Sequence, residues 1–130
     1  MLNVAYGGKL EQDNKRHGFW HSTGANVPLY DLSHQVFFEE GSKIREIVGK
    51  PTLYTNSYHH QNVLPDYVGE GLKITGCCHD KQKGLPYDMP EVIEVPGERF
   101  TLGVQWHPEW MPQFEDHQKI YRALVDASRK

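Results

Sequence analysis

Apolar positions recur at two spacings along this chain, and those spacings assign most of its elements. Near the C-terminus, Phe114, His117, Ile120, Tyr121, Leu124 and Val125 fall three and four apart. That period predicts a helix from about Gln113 to Ser128 with these residues as its buried stripe. A shorter helix is predicted over SKIREIVG, where Ser42 caps the start, Ile44, Ile47 and Val48 share a face, and Gly49 ends it. Aromatic and β-branched runs predict strands at His34 to Phe38 and Thr52 to Ser57. Alternation places Leu72, Ile74, Gly76 and Cys78 on one face of a further strand. Val92 to Val95 and Phe100 to Trp106 flank Pro96-Gly97 as the arms of a hairpin.

Two stretches break the pattern. The opening LNVAYGG reads as the last turns of a helix, stopped by Gly7 and Gly8. From Lys9 to about Leu32 the chain is polar and aperiodic, so a long surface excursion is expected there, of a length that is usually functional or disordered. GLPYDMP makes a turn-rich connection.

Composition narrows the class. Doubly wound α/β sheets are built from near-continuous Val, Ile and Leu strands buried on both faces, and few such strands occur here. Either the chain is not α/β or the central strands lie outside it. Its 130 residues suit one core. Fourteen Lys and Arg stand against 17 Asp and Glu, without a basic stripe, which argues against nucleic-acid binding. No apolar run approaches the roughly 20 residues of a membrane span, and the N-terminus lacks signal-peptide features. Cys77 and Cys78 are neighbours that would face opposite sides of a strand, so they do not pair with each other. A reducing cytoplasm is the expected compartment. His17 and His21 have a ligand-like spacing, but Gly18 and the lack of helical periodicity argue against a shared face, so no metal and no cofactor are expected.

The segment Gly103-Val104-Gln105-Trp106-His107-Pro108-Glu109 carries chemistry. Apolar residues deliver His107 to a strand end, and Pro108 restricts it to extended backbone. Residues 107 and 109 can then project to one side. A carboxylate there would accept the Nδ1 proton and fix the tautomer whose Nε2 is a base, as in a catalytic triad.

Three motifs in order support a wider likeness. LNVAYGGKLEQD supplies Asn3, Val4, Gly7, Gly8, Leu10, Gln12 and Asp13; NSYHHQ runs from Asn56 to Gln61; GVQWHPEW closes the set. Together the sequence resembles the class I glutamine amidotransferase-like family, and within it the γ-glutamyl-γ-aminobutyrate hydrolase branch. The resemblance implies an α/β, flavodoxin-like fold, a parallel sheet with flanking helices, of which residues 1–130 form the C-terminal portion. It implies a thioester mechanism on a γ-glutamyl amide substrate, with a Cys in a Cys-Arg-Gly-x-Gln turn. In the family pattern that turn precedes LNV, so the nucleophile is expected before Met1. His107 becomes the general acid/base and Glu109 its orienter, while His59, His60 and Gln61 shape the substrate cleft.

Cys77 and Cys78 lack a glycine-rich turn into a helix, so they are expected to be packed strand residues rather than substitutes. The chain alone is therefore expected to be inactive, and its expected partner is the N-terminal half of the same fold, in cis or as a separate chain. An uncovered sheet edge also makes homodimerisation an expectation. The alternatives are a non-catalytic or split-subunit module, and a glutaminase domain feeding ammonia to a synthetase.

Overall fold

A computed structural model of the chain describes residues 1–14, 21–22, 30–97 and 99–129. Its elements are α1 (Leu2–Ala5), β1 (Leu10–Glu11), β2 (His21–Ser22), β3 (His34–Phe38), α2 (Lys43–Val48), β4 (Thr52–Thr55), β5 (Tyr58–His59), β6 (Asn62–Val63), β7 (Lys73–Cys78), β8 (Met89–Glu94), β9 (Leu102–Val104) and α3 (Glu115–Ser128). Single 3₁₀ turns lie at Pro65–Tyr67, Asp80–Lys83 and Pro108–Trp110. None of the described helices is long and apolar enough to cross a membrane.

The local signals worked where side chain and backbone agreed. Ser42 Oγ accepts from the Arg45 amide at 3.3 Å, and Gly49 takes the left-handed conformation at φ 77°, so α2 starts and stops as its sequence requires. The buried Glu94 carboxylate also accepts from the Lys43 amide at 3.0 Å, placing negative charge at that helix start. The hairpin forms as expected, with Val92 opposite Val104 and Gly97 at φ 96° in the turn. The expected excursion from Lys9 to Leu32 contains two short strands, β1 paired with β6 and β2 with β5, and His17 lies outside the described residues.

The main sheet has five strands in the order β4-β3-β7-β8-β9. Each of its pairings is antiparallel, which differs from the parallel sheet that the resemblance implies. The reason is local: β3 reverses into β4 through α2 and Gly49, and β8 reverses into β9 through Gly97.

The expected face of β7 is also corrected. Thr75 is inserted between the Ile74–Ile93 and Gly76–Val92 pairs, and the opposite slip then leaves Glu91 unmatched on β8. This double irregularity buries Thr75, Gly76 and Cys78, while Leu72 and Ile74 stay half-buried. Gly76 is required, because a Cβ there would lie 2.6 Å from Val92 Cγ2.

α3 begins two residues later than expected, and its stripe is narrower. His117 and Ile120 are buried, but Tyr121, Leu124 and Val125 are 42%, 52% and 46% exposed. The covered line runs instead through half-buried Ala123 and Ala127, which with Ile47 line a cavity against α2. α2 and α3 pack together, and Leu124 and Val125 lie off that contact. Lys50 and Lys119 both pair with Asp116, at 2.5 and 2.7 Å, and Lys119 also donates to the Val48 carbonyl at 3.0 Å. Val36, Ile44, Val48, Met89, Val92 and Trp106 centre the core between sheet and helices.

Candidate active site

His107 leaves the sheet just after β9. The Gln105 amide still donates to the Glu91 carbonyl at 2.8 Å, and Trp106 is buried beneath. His107 itself has φ −112° and ψ 82°, outside the helical region as the following proline requires. Pro108 then opens a 3₁₀ turn, closed by bonds from the Trp110 amide to the His107 carbonyl at 3.2 Å and from the Met111 amide to the Pro108 carbonyl at 3.0 Å. That turn swings Glu109 back towards the ring. Glu109 Oε1 lies 2.6 Å from His107 Nδ1.

A carboxylate can only accept, so Nδ1 carries the proton and Nε2 is the basic nitrogen of the neutral ring. The His107 side chain is 38% exposed and that of Glu109 52%, so the pair is open to an approaching group. Tyr58 stands edge-on to the imidazole with centroids 6.4 Å apart. Burial first, and then the neighbouring Glu109 carboxylate, push the hydroxyl of Tyr121 on α3 above the usual tyrosine range.

Asn56 approaches from β4. Its Oδ1 accepts from the His107 amide at 2.9 Å, and its Nδ2 donates to the His107 carbonyl at 3.0 Å. The rest of the NSYHHQ motif divides by side chain. His59 turns inward, its Nδ1 2.9 Å from the Gln61 carbonyl and its Nε2 3.2 Å from Glu91 Oε1. His60 is exposed, and its carbonyl accepts from the Asn14 amide at 2.7 Å. Gln61 donates to Gln12 Oε1 at 2.9 Å and lines a cavity of about 180 Å³ with Leu2, Asn62, Glu91 and Gln105. Neither His107 nor Glu109 is in that cavity's wall, so the cavity does not contain the pair.

Neither cysteine is set up as a nucleophile. Burial, reinforced by Asp88, Glu91, Asp80 and Glu39, pushes the Cys77 thiol up to about 12. Cys78 is buried in the core. Among the described residues, His34, Cys78 and Glu91 could hold a cation, their ligand atoms lying within 4.8 Å of one another. His59 already faces that carboxylate, which gives Glu91 a partner without an ion. Because these residues come from four different strands, no spacing in the sequence announces the group.

The motif signal pointed to positions 56–61, but it could not show that Asn56 reaches the His107 backbone while His59 faces Glu91. Tyr121 was read only as part of the buried stripe of α3, and Glu91 carried no signal at all. Asn3, a motif position, is buried and structural: its carboxamide accepts from the Gly69 amide at 2.8 Å and donates to the Lys9 carbonyl at 2.9 Å.

With the dyad in place, likeness to known proteins becomes decisive. The Peptidase C26 family profile matches residues 1–109. The chain belongs to the Peptidase C26 family. A Mycobacterium tuberculosis protein, by name a glutamine amidotransferase, is 32% identical over 134 residues, covering 98% of this chain and 37% of that protein. A Schizosaccharomyces pombe protein, also a glutamine amidotransferase by name, is 30% identical over 130 residues, covering 99% and 47%. This chain thus spans less than half the length of either relative. The Trypanosoma brucei CTP synthase glutaminase domain, solved with bound acivicin, superposes with a TM-score of 0.61 at 23% identity, over 74% of this chain and 38% of that one. Peptidase C26 membership and this likeness establish a mixed α/β fold of the class I glutamine amidotransferase-like type.

Proposed function

We propose that the complete protein hydrolyses γ-glutamyl amides through a Cys-His-Glu triad, γ-glutamyl-γ-aminobutyrate being the substrate type. His107 and Glu109 belong to this chain, and the thiol comes from polypeptide outside these 130 residues. The supporting observation is the 2.6 Å contact between His107 Nδ1 and Glu109 Oε1, which makes Nε2 the proton carrier.

In this mechanism Nε2 takes the thiol proton and the thiolate attacks the γ-carbonyl carbon. The resulting imidazolium, stabilised by Glu109, passes that proton to the departing amine as the C–N bond breaks. Nε2 then takes a proton from water as its oxygen attacks the thioester carbonyl; the C–S bond breaks, the imidazolium returns that proton to the cysteine sulfur, and glutamate leaves. His60 and Gln61 contact the substrate, and His59 shapes the cleft through Glu91. The amine would come from polyamine nitrogen metabolism.

Combining this chain with the thiol-bearing half tests the reading. Turnover of a γ-glutamyl anilide that is lost on alkylation and in His107→Ala is the expected result; an inert but folded assembly would overturn it.

A second reading, a glutaminase that passes ammonia to a synthetase, draws on a Thermococcus kodakarensis CTP synthase that is 26% identical over 102 residues, covering 75% of this chain and 18% of that enzyme. Preference for glutamine over γ-glutamyl amines in the same assay would favour it.

A further inference from the structure

We propose that Asn56 is the positioning residue for His107: its carboxamide holds both the amide and the carbonyl of that residue and so keeps the ring in reach of Glu109. The role deepens the hydrolase reading and rests on His107 being its proton carrier.

His107 sits where the regular ladder has run out. β9 ends at Val104, and Gln105 makes the last backbone bond to β8. Beyond it, the His107 amide would be an orphan donor, and Pro108 has no N–H to offer as an anchor. β4 stops at Thr55, one residue before Asn56. The side chain of Asn56 then does what a neighbouring strand would have done. It accepts from the His107 amide at 2.9 Å and donates to the His107 carbonyl at 3.0 Å. Its residue is 0% exposed, so water does not compete for either bond.

Only a carboxamide offers a donor and an acceptor side by side, and glutamine would carry the pair one methylene further. Two residues on, Tyr58 lies edge-on to the His107 ring, so one short segment holds the backbone and flanks the imidazole. The free movement left to the ring is then rotation about its own side-chain bonds, which the Glu109 contact limits. Misplacement of a catalytic group by about 1 Å can cost a hundredfold in rate, which is the scale on which such a hold matters.

The test uses the 130-residue chain and needs no turnover. Amide hydrogen exchange at His107 reports the backbone hold, and nitrogen-detected NMR of the imidazole reports the tautomer and the Nδ1 proton shared with Glu109. The unaltered chain should show a protected His107 amide. In Asn56→Ala that amide should exchange at least about tenfold faster, the loss of one buried hydrogen bond. The Phe38 and Glu39 amides, bonded to the Pro51 and Thr75 carbonyls, should keep their protection and so report an intact sheet. The Nδ1 proton signal should weaken at the same time.

Asn56→Asp keeps the acceptor but not the donor, so it should retain amide protection while the ring signal still weakens. An unchanged ring signal in the folded variants would reduce Asn56 to a structural residue and overturn the proposal. Should neither variant fold, rapid exchange of the His107 amide in the unaltered chain would overturn it, and protection there would support it. Failure of the hydrolase reading would appear only in the turnover assay of the combined halves.

Discussion

Trp106 and His117 meet edge to face, their ring centroids 6.4 Å apart and their planes at 87°. The contact joins the residue preceding His107 to the first buried turn of α3. His117 Nε2 donates to the Tyr54 carbonyl at 2.9 Å, so α3, β4 and the dyad strand converge on one imidazole.

That convergence has a pH signature. Burial pushes His117 below the ordinary 6.5, with the Tyr54 carbonyl and Asp116 opposing it. Between its folded value and 6.5 the unfolded chain binds a proton that the native one does not, so stability rises with pH in that window. The contribution is complete above 6.5 and is lost as pH falls below it, at up to about 1.4 kcal/mol per pH unit. Urea midpoints from pH 7.5 down to 5 should fall, and His117→Gln, which retains a donor for Tyr54, should flatten the trend.

Glu109→Gln should separate orientation from binding. In the assembled enzyme kcat should drop by about 10²–10⁴-fold with little change in KM, because the neutral amide no longer fixes the tautomer or supports the imidazolium. Tyr121→Phe removes only a hydroxyl neighbouring that carboxylate and should cost about tenfold or less. Steady-state kinetics on the two variants checks both.

The narrowed stripe of α3 is open to a direct comparison. Ile120→Ala should destabilise by about 2–4 kcal/mol, since it empties a buried position. Leu124→Ala, at a site 52% exposed, should stay within about 0.5 kcal/mol. Equal losses in denaturant melts would restore the wider face.

Gly76→Ala should cost about 1–3 kcal/mol, because the new methyl meets Val92 in a sheet that cannot easily move. Thermal melts would show it.

With its thiol pushed up to about 12, Cys77 should be only about one part in ten thousand thiolate at pH 8. Iodoacetamide should therefore label the folded chain slowly and the unfolded chain fast, as followed by mass spectrometry. The chain alone should turn over no γ-glutamyl anilide.

What the sequence could disclose divides along physical lines. The limits of β3, the cap and stop of α2, the hairpin at Gly97 and the pairing of His107 with Glu109 each depend on residues within a few positions of one another. The faces of β7, the bare side of α3 and the inward turn of His59 do not. The first depends on a slip between β7 and β8, the second on where α2 lies, and the third on a carboxylate 32 positions away. No local period encodes those. Asn56 stood inside a legible motif, yet its partner was legible only once the segments that follow β4 and β9, strands at opposite edges of the sheet, had met.

His107 and Glu109 are separated by a single proline, so one short turn sets their mutual distance. Changes in the distant core can alter where the pair is aimed but scarcely the gap between its atoms. Redesign of the surrounding cleft or even of chain connectivity can thus proceed around a histidine–glutamate pair whose internal dimensions are inherited from three consecutive residues.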